Sequence, residues 1–157
     1  GKRGKGRGGR SQKDWQAETK WKWKINSLTL PTIKMPTIEA VGRRNATIGW
    51  LSMFQAKPGD STEYGYNITW HHGHEAEACG YLTIPHDKVT ANELSGTSLD
   101  LAYDNIHVHD LSHAITGLEP EVDYTFKVGM YYGEVTAPLS KSSRIITTEA
   151  LSTPARL

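Results

Sequence analysis

The chain has 157 residues, 37% of them hydrophobic and 22% charged, which suits about one soluble domain with a real core. No stretch approaches the roughly 20 apolar residues of a membrane-spanning helix, and the single cysteine, Cys79, excludes an intrachain disulfide and any cysteine-only zinc or iron–sulfur framework. The net charge of +1 hides a division: residues 1–24 hold nine basic groups against two acidic ones, net +7, while the other 133 residues hold nine basic and fifteen acidic groups, net −6.

The first ten residues, GKRGKGRGGR, are half glycine and half lysine or arginine. They have nothing apolar to bury and much backbone entropy to lose, so the expectation is a disordered arm. Lys2, Arg3, Lys5, Arg7, Arg10, Lys20, Lys22 and Lys24 are its candidate polyanion contacts, for sulfated glycan, nucleic acid or an acidic protein. The bland alternative is a solvated basic terminus, and Arg7 with Arg10 also fits a minimal R-x-x-R processing pattern. No signal peptide precedes these residues, so a secreted form would be mature or truncated. In KWKWK, residues 20–24, strand periodicity places Trp21 and Trp23 on one face and the three lysines on the other. Two readings stand: a strand docking on an edge of the body, or aromatic stacking on bases or sugars flanked by ammonium groups.

From Leu30 onward, turn signals such as Pro36, Gly42, Pro58, Gly59, Gly73, Pro85, Gly117, Pro120 and Gly133 separate short β-rich runs. Ala46, Ile48 and Trp50 alternate with Thr47, Gly49 and Leu51. Tyr64, Tyr66, Ile68 and Trp70 alternate likewise, as do Tyr124, Phe126, Val128 and Met130, so each set predicts one buried face. The pattern is all-β, a sandwich or barrel.

The stretch from Ile115 to Ala150 carries Leu118, Pro120 and Tyr124 at an L-x-P-x-x-x-Y spacing. Together with Pro36 before a strand ending in Trp50, and with YGYNITW, it resembles the fibronectin type III family over about residues 34–149. The resemblance implies an immunoglobulin-like β-sandwich and a corner tyrosine, Tyr124, whose hydroxyl bonds back to the preceding loop. The expected organisation is an arm or linker over 1–33, the domain over 34–150 with a long insertion near 71–106, and a tail over 151–157. The insertion requires an added hairpin or long loop, with ACGYLTIP as one strand and residues 88–90 or 98–101 as another.

The histidines cluster as His71, His72 and His74, and as His107 and His109, with His86 and His113 apart. Converging imidazoles make zinc or copper sites, so the first five are weak metal candidates, but the reading adopted is no metal and no cofactor. His113 shares parity with Leu111 and Ile115, which suggests core packing. No nucleophile elbow, P-loop or H-E-x-x-H helix is present, so an enzyme is not expected. Cys79, in a strand-like run, is expected to be a buried small hydrophobe. Asn45 and Asn67 head N-glycosylation sequons, both on the outward parity of their strands.

The functional expectation is a non-catalytic extracellular adhesion or receptor-ligand module that binds a protein partner, its arm attracting heparan-type glycans. The alternative is an intracellular scaffold or assembly component whose arm binds nucleic acid or threads into a neighbouring subunit. The family resemblance implies the first and charge alone does not choose.

Overall fold

The computed structural model describes residues 30–54, 56, 58–92, 97–101 and 104–151, with backbone only for 97–101 and 104–107. The strands are β1 (Thr37–Val41), β2 (Asn45–Ser52), β3 (Tyr64–His72), β4 (Gly80–Pro85), β5 (Thr90–Ala91), β6 (Thr97–Leu101), β7 (Asp104–Thr116), β8 (Asp123–Tyr132), β9 (Val135–Thr136) and β10 (Ile146–Thr147). A 3-10 turn, His86–Lys88, follows β4. One antiparallel sheet runs β1-β2-β7-β5 and the other β10-β8-β3-β4, with β6 paired to β7 and β9 to β8. Chain connections cross between sheets after β2, β4 and β7, the pattern of a Greek-key sandwich.

The two inner faces meet in one core. Ala46, Ile48 and Trp50 from β2, Tyr66 and Ile68 from β3, Leu111 and Ile115 from β7, and Tyr124, Phe126, Val128 and Met130 from β8 all lie in it, as the alternation predicts. Leu30 and Ile33 are buried there as well, so packing begins ahead of residue 34, the expected start of the domain. The corner forms as expected: Leu118 is buried and the Tyr124 hydroxyl accepts a 2.9 Å hydrogen bond from the Glu119 N–H.

Strand β8 departs from simple alternation, because Thr125, Gly129 and Tyr131 on its outward side are buried too. Leu139 and Pro138 lie over Gly129, the Thr125 hydroxyl donates to the Gly73 carbonyl and the Tyr131 hydroxyl to Glu63. The segment between β9 and β10 runs along β8 with a three-residue period. Ala137, Ser140 and Ser143 donate their N–H groups at 2.8 Å to the carbonyls of Met130, Val128 and Phe126. Three residues here match two on β8, the repeat of polyproline-II-like chain. The mismatch leaves β8 amides without backbone partners, and serine side chains supply them. Val128 N–H donates to Ser140 Oγ and Phe126 N–H to Ser143 Oγ, each at 3.0 Å.

Among the described residues, β4 uses the expected YLTIP and β6 the expected 98–101, whereas of 88–90 only Thr90 is in a strand, β5, since Lys88 belongs to the 3-10 turn. β6 with the first residues of β7 forms a hairpin, Thr97 facing Val108 and Leu101 facing Asp104. Cys79 is a correction: it is exposed. Strand β4 begins one residue later, at Gly80, whose α-carbon lies against the Trp70 ring where a Cβ would collide, and Cys79 shares the outward parity of Tyr81, itself 79% exposed.

Candidate functional site

The described side chains concentrate chemistry at the end of the sandwich where β3 begins and β4 ends. The chain leaving β4 crosses directly over Gly65: an added Cβ there would strike the Ile84 carbonyl and would lie 2.7 Å from the Pro85 Cα. Only glycine permits that crossing. It carries His86 into the gap between the sheets.

There the imidazole stacks on Tyr64, ring centroids 4.9 Å apart and 21° from parallel. It meets His109 of β7 edge-on at 4.8 Å, and shares a 2.9 Å hydrogen bond between its Nδ1 and the Tyr66 hydroxyl. Phe54 packs on Tyr64 and on Tyr132 behind it. Burial pushes the His86 pKa down, His109 adds to that, and Asp87 opposes it. The Tyr66 hydroxyl is pushed up by burial. Burial thus favours the neutral forms of His86 and Tyr66, and the stacking and hydrogen bond hold their rings in place.

Outside the cluster lies a groove of about 480 Å³ formed by residues 61–64 and 85–88. Glu63, which lines it, accepts a short hydrogen bond, 2.6 Å from the Tyr131 hydroxyl to Glu63 Oε2. Burial, then Glu63 and Asp87, raise the Tyr131 pKa, so the hydroxyl stays a donor. Two carboxylates, an aromatic edge and Lys88 thus share one concave surface on a rigid scaffold. Such a surface suits an extended peptide segment presenting a basic or hydrogen-bonding side chain.

The two histidine groups singled out from the sequence lie apart. His71 and His72 pair with Thr125 and Tyr124 at the far end of β3, with His74 in the turn beyond, whereas His109 sits by Tyr64 through His86. Eight strand residues separate those ends, about 26 Å. His71 is buried on the outer face, its Nε2 2.9 Å from Thr69 Oγ1, and His72 packs on Tyr124. The His107 side chain lies outside the described residues. Among the described residues no group of three or more His, Cys, Asp or Glu is placed to hold a metal. His113 is half-buried, and burial lowers its pKa.

Asn45 is exposed at the start of β2. Asn67 is half-buried at mid-strand and accepts a 2.8 Å hydrogen bond from Thr83 Oγ1. The arm residues Lys2, Arg3, Lys5, Arg7, Arg10, Lys20, Trp21, Lys22, Trp23 and Lys24 lie outside the described residues. Among those described, no helix is long and apolar enough to cross a membrane. In the sequence His86 stands out only as a histidine apart, and Glu63 does not stand out at all. Their one local signal is a histidine directly after the proline that ends a strand.

No protein-family model and no curated protein sequence matches the chain. Solved structures do. The FN1–FN3 domains of chicken CNTN1 match at 13% identity and TM-score 0.49 over 77% of this chain and 33% of that one, so this chain spans a third of that three-domain structure. A fibronectin type III domain from the human KIAA0970 protein matches at 20% identity and TM-score 0.47, over 97% and 96% of the two chains. Module A71 of titin from human cardiac muscle matches at 17% identity and TM-score 0.44, over 74% and 90%. Its own strand order and its Tyr124 corner make this chain a fibronectin type III-like β-sandwich.

Proposed function

We propose that this protein is a non-catalytic recognition module of the cell exterior. The sandwich holds the groove of Glu63, Tyr64, Pro85 and Asp87 against a protein partner, and the basic arm adds attraction to sulfated glycans of the heparan type. The observation that supports this reading is the groove itself. Its aromatic wall is locked by stacking on His86, and its carboxylate is oriented by Tyr131, so little side-chain entropy remains to be lost on binding. Secretion is supported by the sequon at the exposed Asn45.

The test is binding of fluorescently labelled full chain to intact cells, with and without heparinase and with and without mild surface proteolysis. Recognition of a protein partner requires that proteolysis remove most binding and that heparinase only weaken it. Binding abolished by heparinase and indifferent to proteolysis would reduce the protein to a polyanion binder.

A further inference from the structure

Among the described residues, most strand edges of the sandwich are blunted. Strand β1 carries a register irregularity between Ile38 and Ala40, β5, β9 and β10 are two residues long, and β6 holds Asp100. Strand β4 is the exception. It ends its sheet, with no strand paired to its far side among the described residues, and its six residues, GYLTIP, include no charge. A regular, uncharged edge of that length is a template for pairing with another strand.

The direction of its backbone groups follows from the strands behind it. On β8 the Phe126, Val128 and Met130 carbonyls accept from Ser143, Ser140 and Ala137, so Lys127 and Gly129 turn theirs to Thr69 and Asn67 of β3. Antiparallel alternation then directs Tyr66, Ile68 and Trp70 to Ile84, Leu82 and Gly80 of β4. The backbone N–H and C=O groups of Tyr81 and Thr83 therefore point away from β3. The run is bounded at both ends: Pro85 has no N–H, and the Cys79 N–H donates at 2.8 Å to the Trp70 carbonyl.

We propose that β4 pairs with β4 of a second copy of this chain, antiparallel about a two-fold axis beside Leu82. Tyr81 then faces Thr83 of the second copy, and each such pair exchanges both N–H···O bonds, so every outward backbone group of the two residues is satisfied. Shifting the register by two residues brings in Pro85 or Cys79, and neither has an N–H to offer. A strand without charge meets no like charge in its own copy, whereas it gives a charged partner strand nothing to select. Tyr81 is 79% exposed, and the axis sets it opposite a β-branched residue and diagonal to its own counterpart, both within reach of an aromatic ring. The two sheets join into one. Each assembly then carries two recognition grooves, which, if the groove reading holds, raises avidity on a surface.

The test is the oligomeric state of the full chain by sedimentation, together with amide hydrogen exchange, from micromolar to millimolar concentration. The contact is small, so a reversible dimer is expected. As it fills, exchange of the Tyr81 and Thr83 amides slows about tenfold, while Leu82 and Ile84, already bonded to β3, change little. Thr83→Pro should return the chain to monomer, since proline removes only an outward N–H and is tolerated on an edge strand. Tyr81→Lys, which keeps the backbone intact, should weaken the dimer as well. A monomer at every concentration would overturn the proposal and leave the edge to a strand of another protein. A dimer whose Tyr81 and Thr83 amides stay unprotected, or one that survives both substitutions, would overturn it too. None of these readouts involves cell binding, so the pairing and the groove reading can fail separately.

Discussion

Replacing Ser140 and Ser143 together by alanine removes the two hydroxyls that complete the hydrogen bonding of β8. Both serines are buried, at 5% and 2% exposure, and their Oγ atoms accept from Val128 and Phe126 amides that face the three-residue repeat of residues 137–145. Alanine fits each site but accepts nothing, and it admits no water without local opening. Each substitution leaves a buried N–H unsatisfied at a cost of about 1–3 kcal/mol. The acceptors serve different β8 residues, so the costs add approximately, and the double variant loses about 2–6 kcal/mol. That is a large share of the roughly 5–15 kcal/mol stability of a typical domain. Urea unfolding gives the total, and amide hydrogen exchange localises it: Val128 and Phe126 should lose protection ahead of Ile68, on the facing strand. A double variant within about 0.5 kcal/mol of wild type, with those amides still protected, would refute the claim that serine side chains stand in for backbone partners.

Tyr124→Phe keeps the ring packing and removes the corner hydrogen bond to Glu119, so a loss of about 1 kcal/mol is expected in the same unfolding assay. Gly65→Ala should open the groove, since its Cβ displaces the Ile84 to His86 crossing. The expected signature is loss of the Tyr64 to His86 stacking shift in the NMR spectrum, while Phe126 and Val128 remain unperturbed. Stability should fall as pH drops from 7 toward 5. His86 and His113 have pKa values held below the ordinary 6.5, so in that window the unfolded chain binds more protons than the folded one and acid favours unfolding. Above pH 7.5 both states are neutral at these positions and the dependence should be flat. His86→Asn should reduce the slope to the part His113 contributes, and a slope identical to wild type would contradict the placement of His86 in the gap between the sheets.

Which features the sequence revealed follows from how local their causes are. The inner faces of β2 and β3 were legible because their apolar residues recur every second position: Ile68 lies between half-buried Asn67 and Thr69, and Ala46, Ile48 and Trp50 keep the same period, interrupted only by the side-chain-free Gly49. The corner was legible because Leu118 and Tyr124 are bound by six residues of chain. The broken last strand was not, because its three-residue period has no signature apart from the strand it lies on, and Ser140 and Ser143 look like ordinary polar loop residues. Cys79 misled for a related reason: parity is set by where β4 begins, and that is fixed by the Trp70 ring over Gly80. The site was the least visible part. Glu63 and Tyr131, His86 and His109, come from segments far apart in the chain, and only folding brings them into contact.

The most direct test of the recognition reading is the dissociation constant of the full chain on intact cells. It should be measured for wild type, for Glu63→Gln with Asp87→Asn, and for the arm with Lys20, Lys22 and Lys24 changed to Gln. If the groove carries recognition, the carboxylate variant weakens binding at least tenfold at any salt concentration, while the arm variant weakens it only at low salt. Unchanged affinity for the carboxylate variant, with binding lost in the arm variant, would contradict it and place recognition in the arm.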